Sequence, residues 1–228
     1  MRILSYAGII AHMSIPKKTA AERRALLEER SRHLDWLASR GLREPPWPLK
    51  SEDAYTGLLL AGLLDPETSA TVCQAIVAGE APLPAPPPWP VSGAVWPRWG
   101  ADLVAWADEG EGAVVLVVEH KRFESHSNAP GYRTDPDSPW QTDQVYEEVT
   151  RGEPPSRVVG LPPARAVYYV VLDGYGLSME RIFPNGEFNV HWLVTSYRQF
   201  GSVLRIGYDQ GVPGLVPLLV SLYAGLRH

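Results

Sequence analysis

Apolar residues recur at helical spacing in the N-terminal part of the chain. Between residues 19 and 40, leucines follow one another at positions that share one face of a helix. Thr19 and Glu22 form the capping-box pattern of a helix start, and Gly41 suits the position just beyond a helix end. The pattern therefore predicts one amphipathic helix over this range.

Two more helices are predicted at 51–64 and at about 69–78, and a break follows them. Ser51 is a suitable N-cap for the first of these helices. The run PLPAPPPWP at 82–90 contains six prolines in nine residues. Proline removes a backbone donor and fixes φ, so this run predicts an extended polyproline-type spacer rather than a helix or a central strand.

Beyond the spacer, the apolar pattern changes from helical to extended. Residues 101–107 predict one strand, and the run AVVLVVEHK at 113–121 predicts a second. The second run is apolar without alternation, which is typical of a strand buried on both faces. The intervening segment DEGEG suits a turn, so the two strands are expected to pair as an antiparallel hairpin.

The rest of the chain continues the mixture of helices and strands. The pattern predicts a helix at 140–151, a buried strand at 164–174, a hairpin or a strand leading to a helix near 181–194, and a final apolar helix at 214–228. This order predicts an α/β or layered α+β fold. We expect residues 1–50 to form an N-terminal helical arm and residues 51–228 to form one domain.

The amino-acid composition excludes several classes of protein. The chain has 228 residues, of which 45% are hydrophobic, enough for a substantial core. Its single cysteine, Cys73, excludes an internal disulfide and a zinc site built from cysteines. Cys73 lies in an apolar run and is expected to be a buried small hydrophobe. No segment has the length and apolarity of a membrane span, so we expect a cytoplasmic protein without a membrane partner.

Charge is distributed unevenly along the chain. The net charge is −5, which argues against a protein that coats nucleic acid. Residues 17–50 carry nine Lys or Arg against five Asp or Glu, whereas residues 101–153 carry four against twelve. An acidic centre beside a basic arm suits a metal site with phosphate-binding cations at its periphery.

Candidate chemistry lies on the predicted hairpin. Glu119 and Lys121 are two residues apart at the end of the second strand, so both side chains leave the same face, and His120 points to the other. Asp102 lies 17 residues before Glu119, on the first strand. A buried carboxylate is costly unless it is paired with a cation or binds a metal ion. The carboxylates of Asp102 and Glu119, together with the backbone carbonyl of His120, are oxygen ligands of the kind that Mg²⁺ or Mn²⁺ prefers. Such an ion activates a water molecule for attack on phosphorus. Lys121 would hold or deprotonate that water, or would neutralise the negative charge that builds up on the phosphoryl oxygens.

Ordinary structural roles remain as alternatives for these residues. Asp102 would instead cap a turn or pair with Arg98. Glu119 and Lys121 would form a surface ion pair on an edge strand. The basic residues of the 19–40 helix suit either a phosphate backbone or a solvated helix face.

The spacing Asp102-x16-Glu119-His-Lys121 resembles the motif of the PD-(D/E)XK nuclease superfamily. The resemblance covers about residues 51–200, and the predicted elements follow the order of that superfamily's core: a helix, a three-strand meander, a helix and a returning strand. It implies a restriction-endonuclease-like core with a central mixed β-sheet flanked by helices.

Two further positions fit the family. Glu52 opens the helix before the core, where many members carry a glutamate that assists the metal, although an acid there also suits the helix dipole. Gln141 opens the helix after the motif, where several branches place a glutamine. The sequence departs from the family at Ala101, where a proline is usual. It departs again at Tyr146, which lies five residues after Gln141 rather than four and so argues against the exonuclease branch.

The resemblance implies a Mg²⁺- or Mn²⁺-dependent nuclease. Its catalytic residues would be Asp102, Glu119, Lys121, Gln141 and Glu52, and its metal ligands Asp102, Glu119, Glu52 and the His120 backbone carbonyl. It implies DNA more readily than RNA as the substrate, a homodimer or larger complex, and a task in bacterial defence against phage. RNA cleavage by the same chemistry stays open as an alternative, because no feature of the sequence separates the two substrates. The alternative is a catalytically silent subunit that keeps the fold for binding or assembly in a nucleic-acid-processing complex.

Overall fold

The computed structural model describes residues 19–46, 52–79, 90–96, 101–108, 110, 112–123, 161–174 and 192–226. The predicted helix at 140–151, most of the proline-rich spacer, and the individual residues Ser51, Arg98 and Gln141 lie outside these ranges. The described residues form an α/β structure in which helices pack against a mixed β-sheet.

The helices described before residue 80 agree with the periodicity of the sequence. The described helices are α1 (Ala20–Ser39), α2 (Glu52–Leu64), α3 (Ser69–Ile76), α4 (Tyr197–Asp209), a 3₁₀ turn (Pro213–Leu215) and α5 (Val216–Ser221). The predicted capping box of Thr19 with Glu22 is present, and Gly41 has a φ of 70° just beyond the end of α1. The third helix ends two residues earlier than predicted. The final apolar helix predicted at 214–228 is wrong in extent: the chain there forms a 3₁₀ turn and then a helix that begins only at Val216, because Pro217 lacks a backbone donor and fits only the first turn of a helix, and that ends at Ser221.

Five described strands form one sheet in the order β1-β2-β3-β4-β5. They are β1 (Gly93–Val95), β2 (Leu103–Asp108), β3 (Ala113–Lys121), β4 (Ala164–Asp173) and β5 (Trp192–Ser196). The first three are antiparallel neighbours, which confirms the β2–β3 hairpin, and β3, β4 and β5 are parallel. In the hairpin turn, Gly110 and Gly112 have φ of 81° and 120°, which other residues rarely adopt.

Two strands add to what the sequence predicted. β5 runs directly into α4, as expected for a strand leading to a helix, whereas residues 181–191, where a hairpin was the alternative, lie outside the described residues. β1 was not recognisable from periodicity, because three residues next to a proline-rich segment are too few to show alternation. It extends the hairpin to an antiparallel meander of three strands.

The central strand β3 is buried on both faces, as its unbroken apolar run predicts. On one face, Leu116 and Val118 pack with the described helices in the larger core cluster. On the other face, Val115 and Val117 belong to a second buried cluster. Strand β3 therefore ends deep in the protein, and the polar side chains at its end are buried with it.

Helix α1 packs on the rest of the fold through buried Leu26 and Leu37 and through His33. The Nε2 atom of His33 lies 2.9 Å from the backbone oxygen of Leu219 in α5. Because a carbonyl only accepts, Nε2 carries the hydrogen, and because a guanidinium only donates, Nδ1, which lies 3.1 Å from Nη1 of Arg205, carries none, so the ring is neutral. Burial of the ring lowers the pKa of His33 from 6.5 to about 4.

We expect His33 to make folding sensitive to acid. Its folded pKa of about 4 lies below the unfolded value of 6.5, so its contribution is complete above pH 6.5 and is lost as the pH falls towards 4. Between pH 7 and pH 5, the wild type should lose about 2 kcal/mol of unfolding free energy more than a His33→Gln variant. Urea denaturation of both proteins across this range measures the difference, and parallel pH profiles would contradict it.

Cys73 is buried in the core, as predicted, and burial raises the pKa of its thiol. No helix in the described part of the chain is long and apolar enough to cross a membrane.

Candidate active site

Three of the predicted site residues meet at the open end of the β2–β3 hairpin. Leu103 pairs with Val118, so the preceding residue, Asp102, comes to lie opposite Glu119. The Nζ atom of Lys121 lies 2.8 Å from Oε1 of Glu119 and 3.9 Å from Oδ2 of Asp102. The hairpin register therefore brings two carboxylates and an ammonium group together.

A third carboxylate reaches this group from the first turn of α2. Oε1 of Glu52 lies 3.2 Å from Nζ of Lys121, and its Oε2 accepts a hydrogen bond of 3.1 Å from the backbone N–H of Arg122. Glu52 thus joins the start of α2 to the end of β3. We call Glu52, Asp102, Glu119 and Lys121 the lysine–carboxylate cluster.

His120 holds the strand end from the opposite face. Its backbone N–H donates to Oδ2 of Asp102 over 2.7 Å. Its buried ring lies between Thr56, whose Oγ1 is 3.0 Å from Nδ1, and the hydroxyl of Tyr197, which contacts Nε2. Burial first, and then the nearby cations of Arg122 and Lys121, lower the pKa of His120, so the ring is neutral. His120 therefore positions Asp102 while its ring anchors β3 to α2 and α4.

Burial controls the charge of the cluster. It raises the pKa of Asp102 to about 6 and that of Glu119 to about 8, although the Lys121 ammonium partly opposes both shifts. Burial by itself lowers the pKa of Lys121, but Glu119, Asp102 and Glu52 outweigh it and raise that pKa above its ordinary value. At neutral pH the ammonium is thus charged, and Glu119 retains a proton more readily than an exposed glutamate.

Arg122 fixes the next position of the chain in the protein interior. Its Nη2 atom lies 2.6 Å from the backbone oxygens of both Ser221 and Ala224, at the end of α5. The guanidinium carbon lies 4.6 Å from the centre of the Tyr55 ring. A cation at a helix C-terminus is favourable, and this one ties the strand end to α5.

Gly174, just after β4, allows the backbone there to lie close to the backbone at the end of β3. Its N–H donates to the backbone oxygen of Lys121 over 2.6 Å. A Cβ atom at this position would collide with the backbone carbonyl of Arg122, which has no flexible end to move aside.

Replacing Gly174 with alanine is therefore expected to displace the Arg122–Phe123 peptide, whose carbonyl group the new Cβ would meet. We expect a loss of about 3 kcal/mol in unfolding free energy, measured by urea denaturation. Gly57→Ala is the matched control: its Cβ meets nothing within 4 Å, and alanine favours the α2 helix by about 1 kcal/mol. Equal stability of the two variants would contradict the close approach.

Asp173 was not predicted from the sequence as a residue of this site. This fully buried acid ends β4 and pairs in register with Lys121 across the parallel strands. The sequence contains a pattern that could have identified it. The run VVLD ends an apolar strand with an acid, as the run VVE does near the end of β3. The position of Gln141 relative to the cluster lies outside the described residues.

The chemistry of the cluster fits a hard divalent cation. Carboxylates of Asp102, Glu119 and Glu52 are the oxygen ligands that Mg²⁺ and Mn²⁺ prefer. Among the described residues, however, no group of three or more His, Cys, Asp or Glu side chains already has the arrangement to hold a metal ion. The Lys121 ammonium supplies the positive charge among these carboxylates.

Comparison of the chain with protein-family models, curated proteins and solved structures gave no match.

Proposed function

We propose that the protein is a metal-dependent nuclease that hydrolyses phosphodiester bonds in DNA, on a restriction-endonuclease-like core of the PD-(D/E)XK type. The observation that carries the proposal is the lysine–carboxylate cluster: Glu52 from α2, Asp102 from the position just before β2, and Glu119 from β3 surround one lysine at a buried strand end. Helix α2, the β1–β3 meander and the returning strand β4 follow the order of that superfamily's core, which supports the assignment.

The metal ligands we propose are Asp102, Glu119, Glu52 and the backbone carbonyl of His120. A bound Mg²⁺ or Mn²⁺ lowers the pKa of a water nucleophile and offsets negative charge on the phosphate. Because burial raises the pKa of Glu119 to about 8, cation binding there would release a proton. The His120 N–H and the Arg122 N–H hold Asp102 and Glu52 in place for this task.

Lys121 has an electrostatic role in this proposal. The three carboxylates raise its pKa, so the side chain remains an ammonium at neutral pH and does not act as a base. In a buried site, such a charge stabilises the negative charge that develops on the phosphoryl oxygens more strongly than it would in water. Gln141 stays part of the proposed site, with a positioning role on the helix expected at 140–151.

The biological setting is a broader part of the proposal. A nuclease of this kind fits bacterial defence against phage, acting as a homodimer or within a larger complex. The four Lys or Arg against twelve Asp or Glu in residues 101–153 favour such partners for binding DNA.

A binding or assembly subunit without catalysis is the second candidate. It is favoured by the contact of 2.8 Å between Lys121 and Glu119, since a buried ion pair of this kind is satisfied without a metal. The absence of a ready-made metal geometry among the described residues supports the same candidate.

Cleavage assays separate the two candidates and identify the substrate. The wild-type protein is incubated with supercoiled plasmid, linear duplex, single-stranded DNA and RNA, in Mg²⁺, in Mn²⁺ and in EDTA. We expect DNA to be cut with either cation and to stay intact in EDTA. Cleavage in EDTA would contradict a metal mechanism, cleavage of RNA alone would change the substrate, and intact nucleic acid in every arm would favour the binding subunit.

A further inference from the structure

A second polar site lies between α1 and α4. It is a groove of about 490 Å³. Helix α1 lines it with Glu29, Arg32 and Trp36, and α4 lines it with Arg198, Ser202 and Arg205. We call these six residues the arginine groove.

The groove exists because two facing helix stripes are polar. Glu29, Arg32 and Trp36 are spaced i, i+3 and i+7, and Arg198, Ser202 and Arg205 are spaced i, i+4 and i+7, so each set lies along one face of its helix. Apolar side chains at these positions would close the helices together. Long polar side chains with charged ends leave a cleft between them instead.

Buried groups hold two of the arginines in fixed orientations. The Glu29 carboxylate, with a side chain only 9% exposed, lies 2.8 Å from Nη2 of Arg32 and 3.5 Å from Nη2 of Arg205. The neutral His33 accepts through Nδ1 from Nη1 of Arg205 over 3.1 Å, because its Nε2 hydrogen is given to Leu219. Arg205 has five N–H donors, so several remain for a ligand.

The arginine groove carries excess positive charge in an acidic protein. Three guanidinium groups and one carboxylate line it, whereas the whole chain has a net charge of −5. Arg198 is exposed and forms no ion pair with the residues that the structure describes. Guanidinium groups bind phosphate oxygens through paired hydrogen bonds, so a phosphate-bearing ligand fits this groove.

The Arg198 end of the groove lies near the same edge of the sheet as the lysine–carboxylate cluster. Lys121 pairs in register with Asp173, and Asp173 pairs with Ser196, so the ends of β3, β4 and β5 are aligned. Two strand spacings separate Lys121 from Ser196, which is roughly 10 Å. Arg198 follows Ser196 by two residues, in the first turn of α4.

We infer that the arginine groove binds the phosphodiester backbone of the nucleic-acid strand whose cleavage we propose at the lysine–carboxylate cluster. The inference rests on that proposed function and adds to it a second contact, some nucleotides away from the scissile phosphate. Arginine and serine donors at this site would bind phosphate oxygens and would not contact the bases, so the contact does not depend on the nucleotide sequence.

Binding of a fluorescent single-stranded oligodeoxythymidylate in EDTA tests the inference without requiring cleavage. Arg198→Gln removes one phosphate contact, and we expect about tenfold weaker binding and a shallower dependence of affinity on salt, by about one unit of slope. Ser202→Glu adds a negative charge at an exposed position of the same groove and should weaken binding similarly. Arg24→Gln, an exposed arginine of α1 outside the groove, is the matched control and should bind as the wild type does.

The outcomes distinguish this inference from the proposed function. Weakening in both groove variants but not in the control supports it, even if no cleavage is found in any assay. Equal binding by all four proteins overturns it, even if the wild type cleaves DNA. Binding of inorganic phosphate without binding of the oligonucleotide would overturn the assignment to a polynucleotide. Circular dichroism of each variant establishes that the fold is retained.

Discussion

A Lys121→Met variant is expected to cleave DNA about 10³-fold more slowly than the wild type in Mg²⁺. Methionine keeps the length and apolar stem of the side chain but removes the ammonium, which lies within 3.9 Å of all three acids of the cluster. The charge that develops on the phosphoryl oxygens then has no fixed cation beside it. Single-turnover cleavage with saturating protein measures the effect on the chemical step directly.

The same variant gives a second result that does not depend on activity. Without the ammonium, the buried carboxylates of Asp102 and Glu119 lose their nearest cation, so a divalent ion should stabilise the variant more than the wild type. We therefore expect Mg²⁺ or Mn²⁺ to raise the melting temperature of Lys121→Met by a larger amount. Arg43→Met, at an exposed position after α1, is the control. If Lys121→Met cleaved DNA at the wild-type rate, the catalytic role assigned to Lys121 would be wrong.

Arg122→Ala is expected to lose about 4 kcal/mol of unfolding free energy. Alanine leaves a cavity beside Tyr55 and leaves the backbone oxygens of Ser221 and Ala224 without their donor. Both defects lie in the protein interior, where neither water nor a neighbouring side chain replaces the lost contacts easily. Urea denaturation at neutral pH measures the loss.

Arg122→Met separates packing from charge at the same position. Nε and Nη1 of Arg122 are buried and find no hydrogen-bond partner among the described residues. Methionine fills most of the space and removes these unsatisfied donors, so we expect a smaller loss, about 2 kcal/mol, from the unpaired carbonyls. If Arg122→Ala and Arg122→Met were equally stable, or both matched the wild type, the anchoring role of this side chain would be wrong.

Local pattern was sufficient to predict much of the fold. The capping box of Thr19 with Glu22 located the start of α1, and the unbroken run before Glu119 indicated a strand buried on both faces. Both signals come from residues close together in sequence, so they can be recognised without knowing how the elements pack. The hairpin followed because an acidic, glycine-containing turn joins two such strands.

The contacts that complete the lysine–carboxylate cluster could not be predicted from local sequence pattern. Glu52 is 69 residues from Lys121, and their contact depends on how α2 packs across the sheet end. The pairing of Asp173 beside Lys121 required the parallel order of β3 and β4, which no local pattern specifies. Periodicity placed Glu52 at the start of a helix, but only tertiary packing sets the distances of Glu52 and Asp173 from Lys121.

Calorimetric titration of Mg²⁺ or Mn²⁺ into the protein tests the metal centre without assuming a substrate. We predict that the wild type binds a divalent ion and that Glu119→Gln, which removes one ligand charge at the end of β3, loses this binding. Glu67→Gln, at an exposed glutamate outside the cluster, should bind as the wild type does. Equal binding by the wild type and Glu119→Gln, or no binding by the wild type, would contradict a metal centre on Asp102 and Glu119.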